Sequence, residues 1–540
     1  MHAHSEPHPD PWTPARLIGL FLGPVVAALL YFILPTQLHN AAGEVTATLT
    51  NSGRLTIAIG GWLAVWWVSE AIPIEAAALL PLVAFPLFGV ATFKETAIPY
   101  ADEVVYLFLG GMLLGCAMER WNLHRRLALL VMLKVGTSPP KLLAGILLAT
   151  ALLSMWVSNT AAAIMMLPIA AGVVRIAQHS SRNKSPATTS ASENLTSLTP
   201  DLSESSSEGP GRPAKNFGVA AMLAVAYGAS IGGVGTLVGT PPNGVCAAFI
   251  AKTYPDTLTF SEWIKLGVPV MLVTLPVCWG LLLLLFPTRN LDIHGATDLL
   301  KREHESLGKT TKGEWLVIII FSLASLAWIF RPQLVELFNL TKQTADGKQI
   351  ALLTDAGIAI TASLLMFLIP VKPRKGVMLL DWRTARTIPW GVLLLFGGGL
   401  TLAAAVEANG VDKVVASLFA GLHGIHPLIV VLIVTAAAMF ISEIGSNTAV
   451  ATVLLPIVAT AAPAIGIHPY MLIFAVTLAV SLAFMMPSGT PPNALVFSSG
   501  YLRVPQMVRA GFLLNLACVL IITTACYFVV RWMGMLPTLS

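Results

Sequence analysis

Long apolar stretches separated by short polar ones run through almost the whole chain. Stretches such as 16–35 and 270–287 reach the length of about 20 residues that crosses a bilayer as a helix. Their apolar residues are continuous and lack the period-two alternation of a transmembrane β-barrel. The pattern therefore predicts an all-α, polytopic membrane protein.

The pattern also predicts the number of crossings. We expect about 11 transmembrane helices, near residues 16–35, 54–70, 75–91, 102–119, 217–252, 263–287, 313–330, 354–370, 389–407, 468–499 and 507–531. Two further apolar segments, 139–178 and 427–463, are each about 40 residues long. That is too long for one crossing and suits two half-helices folded back on each other. We expect both segments to be re-entrant hairpins.

The composition narrows the class further. Hydrophobic residues make up 56% of the 540 residues and charged residues only 11%, whereas a soluble globular protein carries roughly 25% charged residues. All five cysteines lie in apolar stretches without disulfide or zinc spacing, so we expect them to act as small hydrophobes. We expect the lipid bilayer as a partner, no nucleic acid and no cofactor.

The distribution of positive charge predicts the orientation. With the N-terminus inside, 23 of the 32 lysines and arginines fall in cytoplasmic loops and nine in external ones, as the positive-inside rule requires. This predicts an integral protein of the cell (inner) membrane, with a cytoplasmic tail at 1–15 and an external C-terminus. By the same bias, hairpin 139–178 enters from the cytoplasm and hairpin 427–463 from outside.

Two short polar motifs each occur twice within apolar surroundings. Ser-Asn-Thr stands at 158–160 and 446–448, at the middle of each predicted hairpin. Gly-Thr-Pro-Pro-Asn stands at 239–243 and 489–493. Two consecutive prolines remove two backbone donors and push the preceding residue out of the α region. We therefore expect the helices that contain them to be broken.

The sequence around Ser-Asn-Thr repeats as well. Ser154–Val173 matches Ser442–Ala461 at ten of 20 positions without a gap. The two motifs lie 38 residues further apart in the first half, which is the length of the Ser/Thr/Pro-rich segment 179–216. That segment is typical of a disordered linker. An odd number of crossings separates the hairpins, so the repeat is inverted.

These observations predict the organisation of the chain. After the tail 1–15 come a first helix and external loop (16–53), a first inverted repeat (54–312) and a second (313–540). The first repeat holds hairpin 139–178, the cytoplasmic linker 179–216 and broken helix 217–252; the second holds hairpin 427–463 and broken helix 468–499.

The repeated motifs offer binding groups for ions of both signs. Inverted repeats with interrupted helices are the architecture of secondary transporters. Hydroxyl, amide and free carbonyl oxygens suit a small cation, and free N–H groups at half-helix N-termini suit an anion. Neither motif segment contains Lys, Arg or His. An anion held there is neutralised by dipoles and co-bound cations, which predicts coupling between the two ligands.

Other interpretations are weaker. A single Ser-Asn-Thr is often interhelical glue, but two tripeptides and two proline breaks at related positions favour function. Glu70, Glu75 and Glu443 are intramembrane or near-interface carboxylates and so are candidates by default, although helix capping or pairing suits Glu70 and Glu75 equally well. The motifs of a membrane-embedded enzyme are missing, so we expect no enzyme. Hairpins from opposite sides seal a site, which disfavours a channel.

The paired motifs resemble the divalent anion–sodium symporter family, the sodium-coupled dicarboxylate, citrate and sulfate transporters. The stretch SLAFMMPSGTPPNALV (Ser481–Val496) is similar to that family's signature, and SEAIP (Ser69–Pro73) to its early motif. Ser488 departs from the aliphatic residue usual in the signature. The resemblance implies a homodimer whose protomers have a scaffold and a mobile transport part that shifts like an elevator.

The resemblance also implies site residues. One sodium ion is expected at Ser154, Ser158, Asn159 and Gly239, and its partner at Ser442, Gly445, Asn447 and Gly489. The substrate, a small divalent anion, is expected between the tips, with the residues Ser158, Asn159, Thr160, Thr240, Pro241, Ser446, Asn447, Thr448, Thr490 and Pro491.

Three functions follow from this resemblance. The first is sodium-coupled import of C4-dicarboxylates such as succinate, malate or fumarate. The others are a sodium-independent dicarboxylate exchanger and a sodium-coupled symporter of sulfate or another oxyanion.

Overall fold

The computed structural model describes most of the chain as helix. Described are residues 14–39, 45–182, 212–254, 258–288, 291, 293, 295–343, 349–419 and 424–529. Within these residues, nine helices are long and apolar enough to cross a membrane, and shorter apolar helices accompany them. The expected class, an all-α polytopic membrane protein, is confirmed. The count of eleven crossings stays a prediction.

The first part of the chain runs from Pro14 to Ser306. Its elements are α1 (Pro14–Ile33), β1 (Gln37–His39), β2 (Val45–Thr48), α2 (Asn51–Ser69), α3 (Ile74–Ala77), α4 (Leu80–Leu87), α5 (Phe93–Ala97), α6 (Glu103–Arg120), α7 (Leu123–Val135), α8 (Pro139–Ser154), α9 (Asn159–Arg182), α10 (Arg212–Val234), α11 (Pro241–Thr253), α12 (Phe260–Leu285) and α13 (Ala296–Ser306).

The second part of the chain runs from Lys312 to Thr524. Its elements are α14 (Lys312–Ile329), α15 (Arg331–Leu337), β3 (Thr341–Gln343), β4 (Gln349–Ala351), α16 (Asp355–Leu368), β5 (Pro370–Lys372), β6 (Val377–Met378), α17 (Trp382–Ala385), α18 (Gly391–Ala408), α19 (Val411–Phe419), α20 (Pro427–Ser442), α21 (Asn447–Ile465), α22 (Pro469–Ser481), α23 (Pro491–Ser498) and α24 (Val504–Thr524). The strands form three two-stranded antiparallel hairpins, β1–β2, β3–β4 and β5–β6.

Local sequence explains where many helices begin. Thr259 and Thr311 each form a capping box with the glutamate three residues later, which satisfies free N–H groups at the starts of α12 and α14. Proline opens α8, α11, α20, α22 and α23. The first helical position tolerates proline because its N–H would have no partner there.

The hairpins and broken helices pack as one body. Helix α10 lies against both arms of the first hairpin, α8 and α9, and α22 lies against both arms of the second, α20 and α21. Every residue of the membrane-length window in α10 is buried. Gly232 permits this packing, because a Cβ there would stand 2.1 Å from the carbonyl oxygen of Ala151. The broken helices therefore form the centre of this body.

A second body lies beside it. Helix α6 packs on α16, which packs on α14, and α18 packs on α2 and α3. Helices α6 and α18 align without a gap, with Phe108 over Phe396 and Glu119 over Glu407. The rings of Phe108 and Phe396 touch edge to face, with centroids 4.8 Å apart. Two equivalent residues in contact place the pseudo-two-fold axis of the repeat between them.

Some predicted bounds differ from the observed helices. The stretch 75–91 contains the end of one short helix, α3, and a second short helix, α4, because Pro81 cannot continue the first helix and instead opens the second. Helix α7 was not predicted, since its Arg125 and Arg126 break the apolar run. Helices α9 and α10 extend into the predicted linker at both ends, and its remaining part, 183–211, lies outside the described residues, as do residues 1–13 of the tail.

Candidate functional site

Four chain breaks form the candidate site. Residues 155–158 connect the arms of the first hairpin, and residues 443–446 connect those of the second. Residues 235–240 and 482–490 are the unwound segments of the two broken helices. The paired prolines of Gly-Thr-Pro-Pro-Asn follow each break and open the next helix. Each break therefore leaves helix C-termini and helix N-termini beside each other.

The asparagine that ends each Gly-Thr-Pro-Pro-Asn motif holds the unwound segment. Asn243 Nδ2 donates to the carbonyls of Gly233 at 3.1 Å and Thr236 at 2.8 Å. Asn493 Nδ2 donates to the carbonyls ten and seven residues before it, in Ala483 and Met486, at 3.3 and 3.0 Å. Both asparagines are fully buried. The two halves thus share one backbone plan.

In the first half, the predicted cation ligands lie together. Ser154 Oγ is 2.6 Å from Asn159 Oδ1 across the hairpin tip. A Cβ built on Gly233 would stand 2.5 Å from Asn159 Oδ1 and 3.2 Å from the carbonyl oxygen of Gly239. The tip and the unwound segment therefore present oxygen atoms to one small space, which remains open because residue 233 is a glycine. Ser158 caps the adjacent turn by accepting from Ala161 N at 3.3 Å.

In the second half, the same residue types make different contacts. Ser442 Oγ donates back along its own helix to the carbonyl of Met439 at 2.8 Å. Asn447 Oδ1 is buried and has no hydrogen-bond partner among the described residues. Thr490 Oγ accepts from Asn493 N at 3.4 Å, whereas Thr240 makes no such cap. An unpaired buried amide oxygen is a free ligand position.

The predicted residues differ in exposure. Ser158 and Pro491 are exposed. Asn159, Thr160, Pro241, Ser446 and Asn447 are half-buried, and Ser154, Gly239, Thr240, Ser442, Gly445, Thr448, Gly489 and Thr490 are buried. Each hairpin tip is hydrogen-bonded to the broken helix of its own half. In the first half Thr236 donates to the carbonyl of Met155, and in the second half the backbone N–H groups of 484–486 donate to Glu443.

A crevice of about 160 Å³ reaches the first half of the site. Ser158, Gly239 and Pro241 line one wall, and Gly115 and Glu119 of α6 line the other. A second crevice of about 320 Å³ lies between α18 and the far end of α21, with Glu407, Ala459 and Thr460 in its walls. It contains no residue of either Ser-Asn-Thr motif. Only the first of these two crevices leads to a hairpin tip.

The structure assigns contacts to the three carboxylates considered above. Glu70 directly follows α2 with a left-handed backbone conformation, and its Oε2 lies 3.6 Å from Nη2 of Arg16. Glu75 packs against Gly391, because a Cβ built on Gly391 would stand 2.1 Å from Cγ of Glu75. Glu443 is buried in the second tip, where its carboxylate accepts from four donors, three backbone amides of the unwound segment and the side-chain amide of Asn515.

Three asparagines of the site, Asn243, Asn493 and Asn515, were not predicted as functional residues from the sequence. Asn243 and Asn493 belong to the repeated motif, and their identical spacing to the break was the available signal. Asn515 carries no such signal, because it lies in an ordinary apolar helix and reaches Glu443 only in the folded chain.

Broken helices at a buried centre, related by an inverted repeat, define a secondary active membrane transporter and not an enzyme. The family model for the sodium:sulfate symporter transmembrane region matches residues 26–536. The chain therefore belongs to that family, which confirms the family resemblance seen in the motifs.

Curated relatives agree with this assignment, and solved structures of other transporters have a similar fold. The chain is 37% identical over 517 residues to the sodium-dependent dicarboxylate transporter SdcS of Staphylococcus saprophyticus, covering 95% of this chain and 91% of that protein. It is 37% identical over 522 residues to SdcS of Staphylococcus aureus, covering 96% and 92%. Its fold is similar to the YdaH transporter of Alcanivorax borkumensis (TM-score 0.52, 16% identity, 96% and 98% covered) and to MtrF of Neisseria gonorrhoeae (0.55, 12%, 96% and 95%).

Proposed function

We propose that the chain is a sodium-coupled symporter of C4-dicarboxylates such as succinate, malate and fumarate. The observation that carries this proposal is the pair of oxygen-rich breaks that contain no cationic side chain. The names of the SdcS relatives, which are 37% identical to this chain, support both the ion and the substrate class. A dianion bound without fixed cations needs bound cations beside it, which makes symport the natural mode.

The proposed sodium sites lie at the helix C-termini of each half. The first comprises Ser154, Ser158, Asn159 and Gly239, and the second Ser442, Gly445, Asn447 and Gly489. Helices α8 and α10 end at the first site, and α20 and α22 end at the second. Helix C-termini carry partial negative charge and free carbonyl groups. The convergence of Asn159 Oδ1 and the Gly239 carbonyl near Gly233 supports the first site.

The proposed dicarboxylate site lies at the helix N-termini. Helices α9 and α21 begin at Asn159 and Asn447, and α11 and α23 begin at Pro241 and Pro491. Their free N–H groups carry partial positive charge and suit carboxylates. We place the substrate between the tips, in contact with the residues Ser158, Asn159, Thr160, Thr240, Pro241, Ser446, Asn447, Thr448, Thr490 and Pro491.

The two crevices support an elevator-type movement. Glu119 and Glu407 are equivalent residues of the second body, yet they face different parts of the first. Glu119 lines the same crevice as Ser158 and Ala161 of the tip, whereas Glu407 lines the other crevice together with Ala459 and Thr460. The equivalent of Ala161 is residue 449, about ten residues earlier in α21, which corresponds to roughly 15 Å of helix. A displacement of one body along the other explains this difference.

The contacts between helices support the same movement. Helix α11 packs on α21 and α22, and its equivalent α23 packs correspondingly on α9 and α10. Helix α11 also packs on α18, but α23 makes no comparable contact with α6, and both of these helices are fully described. The repeat is therefore symmetric in these contacts of the first body and asymmetric where that body meets the second. If the two halves exchanged these arrangements, so that α23 packed on α6 and α11 left α18, the site would open to the other side of the membrane.

The charge distribution supports an orientation for this movement. The crevice that reaches Ser158 lies at the end of α6 that carries Arg120, on the side predicted to be cytoplasmic. We propose that this arrangement faces inward, in a homodimer in the cell (inner) membrane, with the N-terminus inside and the C-terminus outside.

One observation favours a second candidate. The description of the matching family names sulfate. Like a dicarboxylate, sulfate is a divalent anion, but its charge is not divided between two carboxylates at a fixed spacing. Sodium-coupled transport of sulfate or a related oxyanion would use the same dipoles and cations.

Transport by the purified protein in liposomes tests both candidates. We expect labelled succinate to accumulate under an inward sodium gradient, and choline replacement to abolish accumulation. Unlabelled malate, fumarate and sulfate are then compared as competitors of succinate uptake. Inhibition by malate and fumarate supports a dicarboxylate symporter, and stronger inhibition by sulfate supports an oxyanion symporter. Uptake that ignores sodium but needs an internal dicarboxylate would contradict symport and indicate an exchanger.

A further inference from the structure

The second hairpin tip contains a buried carboxylate, Glu443, whose exposed fraction is 4%. Its oxygens accept from the backbone N–H groups of Phe484 at 2.7 Å, Met485 at 3.0 Å and Met486 at 3.2 Å. Asn515 Nδ2 donates to the same carboxylate at 2.7 Å. The three amides belong to the unwound segment, where the break removes their helical acceptors. Glu443 replaces those acceptors and fixes the segment.

The same carboxylate lies beside the proposed second sodium site. Glu443 follows Ser442 directly in the chain. Its Oε2 atom would be 3.4 Å from a Cβ built on Gly489, and its backbone carbonyl oxygen 3.5 Å from the same point. Both Ser442 and Gly489 are among the proposed cation ligands. A full negative charge is therefore held within a few ångströms of one half of the site.

The charge of Glu443 has no cationic side chain as a partner among the described residues. Its donors are three backbone amides and one side-chain amide, all neutral. A buried charge compensated only by neutral donors costs free energy, and a cation beside it lowers that cost. Hydrogen bonding alone would be satisfied by a neutral acceptor, so the presence of a carboxylate at this position indicates a cation.

The first half of the site lacks this charge. In the ungapped repeat, Met155 takes the place of Glu443. Thr236, which corresponds to Met486, donates its hydroxyl to the backbone carbonyl of Met155. The first unwound segment is thus held to its tip by a neutral bond. The two halves have the same backbone plan but a different net charge.

The partner of Glu443 is replaced as well. Gly267 and Gly511 make equivalent close approaches, to the carbonyls of Val234 and Phe484, which aligns α12 with α24. Four residues further along each helix, Asn515 corresponds to Met271. The side chains of Met271 and Met155 both approach Gly235, at 3.0 and 3.3 Å from a Cβ built there. A methionine pair stands where the second half has the glutamate and the asparagine.

We propose that Glu443 is a positioning residue for sodium: it holds the second unwound segment and gives the second sodium site a higher cation affinity than the first. This inference rests on the proposed sodium-coupled function.

The test is a sodium titration of the Glu443→Gln variant. Thermal unfolding of purified protein is followed across sodium concentrations, with choline as the replacement ion, and succinate uptake is followed in parallel. We expect the sodium midpoint of thermal stabilisation to rise roughly tenfold, because a unit charge is removed a few ångströms from the ion. A purely structural role would lower the melting temperature without sodium and leave the midpoint unchanged. That result would overturn the proposal.

Two further variants complete the design. Met271→Leu changes the equivalent helix of the first half without changing charge, and its sodium midpoint should equal the parent's. Glu443→Asp keeps the charge but draws it back by one methylene, so its midpoint should lie between those of the parent and Glu443→Gln. If Glu443→Gln does not fold, Glu443→Asp decides, and an unchanged midpoint there refutes the proposal. A parent protein that ignores sodium would instead contradict the proposed function itself.

Discussion

Asn243 and Asn493 bond to their unwound segments at the same spacings, ten and seven residues back, whereas the hairpin tips reach those segments by different means. In the first half a neutral hydroxyl, that of Thr236, bonds to the tip backbone. In the second half the carboxylate of Glu443 accepts from three successive amides. The two halves of the inverted repeat therefore share the geometry of their breaks but differ in the charge at those breaks.

The cation-facing oxygens differ in the same way. Asn159 Oδ1 is bonded to Ser154, whereas the oxygen of Asn447 has no described partner and Ser442 bonds within its own helix. The first half is more completely paired without an ion, and the second is left with a free oxygen and a charge. Substitution of equivalent residues in the two halves therefore tests how this difference in pairing and charge affects transport.

The largest effect is expected at the two asparagines. Asn159→Ala and Asn447→Ala should each abolish sodium-driven succinate uptake, because each asparagine offers an acceptor to a cation and donors to a carboxylate. Membrane expression should stay near that of the parent, as measured by quantitative blotting of the same vesicles. Uptake retained in both variants would mean that the tips only hold helices together.

A smaller effect is expected where one half has glycine and the other alanine. Gly233→Ala places a methyl group 2.5 Å from Asn159 Oδ1, so the apparent sodium affinity of uptake should fall roughly tenfold or more. The equivalent residue, Ala483, already carries that methyl group, so the second half tolerates it. Gly280→Ala is the matched control, because no atom lies within 4 Å of a Cβ built there. An unchanged sodium affinity in Gly233→Ala would move the first sodium site elsewhere.

The smallest effect is expected from the insert that only the first half contains. Replacement of residues 183–211 by a short Gly/Ser connector should leave substrate affinity within roughly threefold, because the second half has the same backbone plan at its break without an insert. The measurement is the concentration dependence of succinate uptake, and a connector twice as long serves as the control. Loss of binding with both connectors would assign this segment a role in the site.

Local signals made the breaks predictable from sequence. Paired prolines can open a helix but cannot continue one from the preceding turn. The Gly-Thr-Pro-Pro-Asn motifs at 239–243 and 489–493 were therefore sufficient to predict both broken helices. The polar tripeptides marked the hairpin tips for a similar reason, since such residues rarely lie unpaired in an apolar segment.

Contacts between distant helices were not predictable in this way. The bonds of Asn515 to Glu443 and of Thr236 to Met155 join residues 72 and 81 positions apart. Helices α12 and α24 share too few residues to reveal that Met271 and Asn515 correspond. The correspondence becomes visible only in the folded protein, where α12 and α24 make equivalent close approaches at Gly267 and Gly511.

The contact between Phe108 and Phe396 has a consequence for the energetics of the proposed transport cycle. Because the axis of the repeat passes between these rings, the inward and outward forms are near images of each other. Identical pairs such as Glu119 and Glu407 then contribute equally to both forms and cancel in the difference between them. The resting population is set by the pairs that differ, such as Gly115 and Ala403, so exchanging such a pair should bias which side an empty carrier faces.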